Sequence, residues 1–355
     1  MNDLNTLVHI SKYAGERFDL VQAGGGNSSV KLKDGTMLIK ASGFLLSDVE
    51  KDNGYSKVNT ADIANIVLNE ELLQLIDKKD RENFTSTLVK NATIDKKNRP
   101  SIETLLHSFL LKYTLHTHPI VVNMLVIKKD WEKILKNIFS TDNIALVEYK
   151  TPGIELALVL HKEITKNINT PQIIFLQNHG LIITSNNKED IELLTEYVID
   201  KIEKYLNIDM NRYKLTSKIS KFINRVNNLN NIAYLSEDTI LNNALKANRK
   251  LFLKKPFCPD TLVYCGISSM ELSNIENNIE TKQHINNYYE TPKTIIYKDK
   301  LFIIAKNIKK AKEIEEVLKF HIITLTQSSD NVNFLEFDEM IHLSNWEAEQ
   351  FRQRI

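Results

Sequence analysis

Apolar positions along this chain change period several times, and each change marks a predicted element. Over 101–113 they fall at Ile102, Leu105, Leu106, Phe109, Leu110 and Tyr113, the spacing of one helical face, with Pro100-Ser101 supplying the N-cap. Residues 115–122 form a short apolar run that predicts a buried strand. Earlier, 29–33 and 36–40 are β-prone runs on either side of Asp34-Gly35, a two-residue hairpin signal. Helix-like stretches follow near 60–68 and 81–89. Apolar runs at 173–176 and 181–184 flank Gln177-Asn178-His179-Gly180, which reads as a turn between strands, and 188–206 is a long amphipathic helix with Asn187 as its cap. The sequence then turns polar and Asn-rich over 214–231, where a boundary is placed, giving domains 1–215 and 216–355. Beyond it, 261–265 reads as a strand, 294–297 and 301–305 as a strand pair around Lys298-Asp299-Lys300, and 308–326 as a helix. Strands and helices alternate in both parts, so the class is α/β.

Composition excludes more than it selects. The 355 residues carry 46 basic and 45 acidic side chains, so no global field favours nucleic acid or anionic lipid. No apolar run approaches the roughly 20 residues that span a bilayer. The first 14 residues lack the apolar core of a signal peptide. Cys258 and Cys265 are too few for a disulfide framework and receive no role. The expectation is a cytoplasmic enzyme that binds neither nucleic acid nor membrane.

Candidate chemistry starts at His116-Thr117-His118. On a strand, residues i and i+2 project from one face, so both imidazoles can converge on one point. By itself such a pair is more often incidental than a metal site, and His179, at a turn, is by itself more often a hydrogen-bonded turn residue. Together, three neutral imidazoles with an open position make a zinc site of the kind that polarises a carbonyl. Glu103 sits in the first helical turn, off the apolar stripe. The bland reading is a solvated acid favoured by the helix dipole; the functional one is a general base beside the metal. Gly24-Gly25-Gly26-Asn27-Ser28-Ser29 precedes a hairpin and not a helix, which disfavours a dinucleotide-binding fold. Its backbone amides can meet an anion, and Lys40-Ala41-Ser42-Gly43 adds a cation, a hydroxyl and another flexible amide. For either loop an ordinary turn is an equally good account.

In that order, Gly24-Gly25-Gly26-Asn27-Ser28-Ser29, Lys40-Ala41-Ser42-Gly43, Ser101-Ile102-Glu103, His116-Thr117-His118 and Asn178-His179-Gly180-Leu181 resemble the class II aldolase/adducin family, which includes fuculose- and rhamnulose-phosphate aldolases and ribulose-phosphate 4-epimerase. The resemblance implies a three-layer α/β/α fold with a smaller C-terminal α/β domain packed on it, and a homo-oligomer, commonly a tetramer. It also implies zinc, or another divalent metal, on His116, His118 and His179, and Glu103 as catalytic acid/base. A sugar phosphate would be held by Gly26, Asn27, Ser42, Gly43 and Ser101, with Lys40 beside them. After residue 215 the likeness weakens. There Pro256-Phe257-Cys258-Pro259-Asp260, the strand pair at 294–305 and Trp346-Glu347-Ala348-Glu349-Gln350 resemble the long aldolase half of aldolase–dehydrogenase proteins.

Two departures stand out. Ile102 replaces a second serine of short family members, and the tyrosine that protonates the departing aldehyde has no clear counterpart over 126–145; Tyr149 is only nearby. The expected reaction is cleavage or formation of a C–C bond in a ketose 1-phosphate, giving dihydroxyacetone phosphate and an aldehyde. Alternatives are epimerisation, dehydration or decarboxylation on the same scaffold, or a non-catalytic, adducin-like assembly module.

Overall fold

The computed structural model describes residues 2–227, 230–328 and 331–345, so the Trp346–Gln350 motif lies outside the described residues. The chain divides into two compact units, 1–210 and 211–355. In the first, the elements in chain order are α1 (Asp3–Gly15), β1 (Asn27–Lys31), β2 (Thr36–Lys40), β3 (Tyr55–Asn59), α2 (Thr60–Ile66), α3 (Glu70–Gln74), α4 (Lys78–Asn91), α5 (Thr104–Ser108), β4 (Tyr113–Thr117), α6 (Ile120–Val126), α7 (Trp131–Ile138), β5 (Ile144–Val147), α8 (Ile154–Ile164), β6 (Ile173–Leu176), β7 (Gly180–Ser185) and α9 (Glu189–Leu206). The strands form one sheet in the order β3-β2-β1-β4-β7-β6-β5, antiparallel except for β5 beside β6.

Period-2 alternation decides the layering. Leu38, Leu115, Phe175, Leu181 and Ile183 face one core with α1, α6, α7 and α9. Met37, Ile39, Ile174, Leu176 and Ile182 face the other with α2, α4, α5 and α8. The first unit is therefore three layers, α/β/α. Each fully buried aliphatic side chain contributes about 1.5–3 kcal/mol, so strands apolar on both faces stay sandwiched. The β1–β2 hairpin forms as predicted: Gly35 takes φ +81°, and Asp34 Oδ1 accepts from the Thr36 amide at 3.1 Å.

The second unit contains α10 (Asn211–Asn227), β8 (Ile232–Leu235), α11 (Thr239–Ala247), α12 (Pro259–Cys265), β9 (Met270–Leu272), α13 (Ile279–Tyr288), β10 (Thr294–Tyr297), β11 (Lys300–Ala305), α14 (Ile308–Gln327) and α15 (Phe337–Asn345). Its sheet runs β8-β11-β10-β9. Helix α10 covers one face through Ile219, Phe222 and Ile223, while α11 and α14 cover the other through Leu241, Leu245, Ile314, Leu318 and Ile322. The expected strand pair 294–297 and 301–305 is present, turning at Lys298 and Asp299, both with positive φ.

Several sequence expectations need correction. The helix expected over 101–113 is one short element, α5, and Tyr113 already belongs to β4. Ser101 is not its N-cap; Glu103 holds that position, and Ser101 Oγ accepts from the Glu103 amide at 3.3 Å. The strand expected over 115–122 ends at Thr117. Pro119 fixes its own φ and caps α6, whose buried Val121, Val122, Leu125 and Val126 follow a helical stripe. The strand expected at 261–265 is helix α12, because Pro259 sits at its first turn and a short buried run carries no distinguishing period. Asn187 does not cap α9; Lys188 holds the N-cap position and Asn187 Nδ2 donates to Asp190.

Candidate active site

Strand β4 is the central strand of the large sheet, and the site gathers at its C-terminal end. His116 is in β4 and fully buried; His118 follows the strand's last residue; His179 is in the β6–β7 turn. Backbone contacts set each position. The His118 amide donates to Leu20 O at 2.9 Å. Asn178 takes φ +53°, a left-handed conformation that asparagine tolerates, and the following His179 amide donates back to Leu176 O. Two glycines leave room for the His118 ring and its strand: a Cβ on Gly25 would lie 2.7 Å from His118 Nδ1, and one on Gly180 would lie 3.1 Å from His118 Cδ2 and 2.3 Å from the Thr117 backbone oxygen.

The imidazoles meet as their positions imply. His116 Nε2 lies 3.1 Å from His118 Nε2 and 3.3 Å from His179 Nε2. Glu103 Oε1 lies 3.4 Å from the Nε2 atoms of both His116 and His179. Ligands about 2.0–2.1 Å from a tetrahedral zinc ion are about 3.3 Å from one another; His116 stands at that spacing from His118 and His179, and the three histidine donor atoms all lie within 4.8 Å of one another, close enough to share a metal. The tautomer is also settled for one ring. His116 Nδ1 donates to Leu181 O at 3.0 Å, so in the neutral ring it is Nε2 that carries the lone pair. His118 is lowered to about 3, by burial first and then by the charges of His116 and His179. Burial alone would raise the Glu103 carboxyl, but the charge of His116 and hydrogen bonds from His116 and His179 hold it well below the usual range. Glu103 is thus not the solvated acid of the bland reading, since only 12 % of its side chain is exposed.

Three loops border this centre. Asn27 pairs with His116 across the β1–β4 ladder, and its buried Nδ2 has no partner among the described residues. Gly26, at φ +74°, packs where a Cβ would meet His116 O at 2.7 Å. The β1–β2 register, continued by two residues, sets Asn27 opposite Ala41, which itself bridges Pro100. Ser42 donates its amide to Arg99 O at 2.9 Å, so exposed Ser42 and Gly43 (φ +85°) lie beside the strand-like stretch leading into Ser101. Lys40 is placed differently from the other cradle residues. Its buried ammonium donates to Phe44 O at 2.8 Å and to Ala41 O at 3.4 Å, spanning the loop that carries Ser42 and Gly43. Burial lowers its pKa, opposed by Glu103 and Asp48.

Sequence reasoning missed the supports. Buried His107, one turn after Glu103, bonds Ser29 Oγ at 2.7 Å and ties α5 to β1. Buried Arg17 chelates Asp19 and also contacts Glu196, fixing the segment whose Asp19 and Leu20 carbonyls hold the Ile120 and His118 amides. Neither has a motif; a buried arginine becomes visible only when its carboxylate partners are placed. Tyr149, 49 % exposed, has its amide held at 3.0 Å by Gln177 Oε1, two residues before His179.

These features agree with the comparisons. The chain belongs to the class II aldolase and adducin N-terminal domain family, whose profile matches residues 5–205. Among curated proteins it is 26 % identical over 221 residues to an uncharacterized oxidoreductase of Bacillus subtilis strain 168. That alignment takes in 59 % of this chain but only 30 % of the relative's length. Similar solved structures include the N-terminal class II aldolase domain of a Thermoplasma acidophilum protein (22 % identity, 58 % of this chain and 94 % of that one, TM-score 0.49). Another is an L-fuculose 1-phosphate aldolase (15 % identity, 60 % and 93 %, TM-score 0.40). Among the described residues no helix is long and apolar enough to cross a membrane.

Proposed function

We propose that this chain is a zinc-dependent aldolase that cleaves, or in reverse forms, a C–C bond in a ketose 1-phosphate, with dihydroxyacetone phosphate and an aldehyde as the fragments. The observation that carries the reading is the meeting of three imidazole Nε2 atoms and one carboxylate oxygen at contacts of 3.1–3.4 Å. His116, His118 and His179 would hold the metal, and their nitrogen set suits zinc. When bound, the ion supplies Lewis-acid stabilisation of the negative charge that builds up next to a carbonyl.

The chain's own groups do the rest. Glu103, its Oε1 at 3.4 Å from the Nε2 atoms of His116 and His179, returns a proton to C3 of the donor fragment after the C3–C4 bond breaks, and removes it in the synthetic direction. The unpartnered Asn27 amide, the Ser42 and Ser101 hydroxyls and the Gly26 and Gly43 backbone receive the phosphate. Lys40 holds the Ser42–Gly43 loop in shape. Tyr149, whose backbone amide is held by Gln177 Oε1 near the His179 turn, is assigned the proton on the C4 oxygen, which it takes as the C3–C4 bond breaks and returns to the aldehyde oxygen in the synthetic direction. By family likeness the working assembly is a homo-tetramer.

The test is to incubate metal-loaded protein with dihydroxyacetone phosphate and a panel of aldehydes, and to identify products by mass spectrometry and NMR. A new C–C bond is expected. Replacing the donor by unphosphorylated dihydroxyacetone should lower kcat/KM at least about 10²-fold, because several charge-assisted hydrogen bonds of about 1.5–3 kcal/mol each are lost. Absence of both condensation and proton exchange on the phosphorylated donor would remove the aldolase reading, and equal use of the two donors would remove the phosphate site.

A further inference from the structure

One cavity of the first unit carries charge that the proposed reaction does not use. It encloses about 460 Å³, within the roughly 300–1,000 Å³ of small-ligand sites. One wall is a face of α4, where Thr85, Ser86, Val89 and Lys90 recur at helical spacing. The other is the segment that runs through Lys96 and Arg99 to Ser101 and Ile102. The cavity therefore ends at the two residues immediately before Glu103.

Its electrostatics are one-sided. Lys90, Lys96 and Arg99 enter no ion pair among the described residues, and the contact of Arg99 Nη2 with Ser86 Oγ is long, at 3.5 Å. The neighbouring acid Asp95 accepts from the Lys97 amide at 2.9 Å. Glu82, the acid in the lining, makes no ion pair with these three cations among the described residues; its two oxygens lie where a Cβ on Gly153, at the start of α8, would meet them at 2.8 and 2.9 Å. Thr85, also in the lining, has a buried hydroxyl with no partner among the described residues. Ile102, half exposed, contributes an aliphatic surface here where the related motif has a second hydroxyl. Lys90, Lys96 and Arg99 are exposed at the rim of a concave space whose floor includes buried Val89 and Pro100, and three cations of one sign gathered there attract an anion in a salt-dependent way.

We propose that this cavity is an anion-binding subsite, built by Lys90, Lys96 and Arg99, that prolongs the Ser101 end of the active site and takes a phosphate, diphosphate or carboxylate group of a small metabolite. Arginine suits such groups because its planar fork bonds two oxygens at once. The subsite is distinct from the Asn27–Ser42–Gly43 loops, and its binding does not depend on the reaction proposed above.

Inorganic pyrophosphate is the probe, with phosphate and malonate as comparison arms, titrated calorimetrically into the wild type and into His116→Ala, which separates binding from metal and catalysis. Pyrophosphate should bind both proteins alike and more weakly as salt rises. Lys96→Met/Arg99→Met should weaken it at least tenfold, and Asn27→Ala should leave it unchanged; circular dichroism confirms the fold of each. In activity assays, inhibition by pyrophosphate should be lost in Lys96→Met/Arg99→Met; inhibition competitive with the phosphorylated donor and equal in wild type and double variant would place the anion on the Asn27–Ser42–Gly43 loops and overturn the proposal. Inhibition of another pattern, with the same loss in the double variant, shows a separate ligand. Equal affinity in wild type and double variant, or loss in Asn27→Ala alone, overturns the proposal and leaves the metal-site reading untouched.

Discussion

Adjacent glycines in the Gly24-Gly25-Gly26 loop should respond oppositely to the addition of one methyl group. A Cβ on Gly25 would sit 2.7 Å from His118 Nδ1, 3.1 Å from its Cε1 and 3.0 Å from Gln22 O. Ordinary van der Waals contact begins at about 3.4 Å, so ring or loop must move by about 0.7 Å. His118 cannot retreat freely, since its amide is held by Leu20 O and its Nε2 lies 3.1 Å from that of His116. A shift of that size is a large part of the tolerance of a coordination shell, and disturbing the surroundings of a ligand typically costs 10–100-fold in metal affinity. A Cβ on Gly24 meets nothing within 4 Å. Gly25→Ala should therefore bind zinc about 10–100-fold more weakly in a competitive chelator titration, with thermal unfolding of the metal-free protein little changed. Gly24→Ala should match the wild type. Equal zinc affinity in the two variants would refute the claim that Gly25 is small for the sake of His118.

Further outcomes are expected. Glu103→Gln should fold, yet lose about 10²–10⁴-fold in proton exchange on dihydroxyacetone phosphate, measured by deuterium incorporation; wild-type exchange would place the base elsewhere. Tyr149→Phe should slow C–C cleavage while leaving that same exchange intact, and equal loss in both assays would make Tyr149 a structural residue. In the second unit, burial lowers His284 and His321 to about 4. Both are then neutral when folded but charge near pH 6.5 when unfolded, so stability is full above about 6.5 and falls as pH drops towards 4, by at most about 1.4 kcal/mol per pH unit for each. Urea titrations at pH 7, 6 and 5 check this, and His284→Asn/His321→Asn should flatten the dependence.

The order of the motifs and most local elements are legible in the amino-acid sequence alone. The Asp34-Gly35 hairpin, the strands on either side of His179, the 294–305 strand pair and the helix after it depend on periods and turns spanning fewer than about 20 residues, where backbone preference and side-chain alternation act directly. So does the i, i+2 pairing of His116 and His118. Where apolar runs are short and buried, the period does not separate helix from strand: Pro119 and Pro259 settle α6 and α12, and tertiary burial claims Tyr113 for β4. The site itself is a tertiary object. His179 lies 63 residues beyond His116, yet their Nε2 atoms are 3.3 Å apart, because β7 lies beside β4 in a sheet whose strand order does not follow the chain. The same is true of Glu103, a solvated helix-end acid by its local sequence and a buried partner of two imidazoles in the fold. Residue type and spacing name the groups able to do the chemistry, but distances between them across the sheet are set by strand pairing and core packing, which no local pattern encodes.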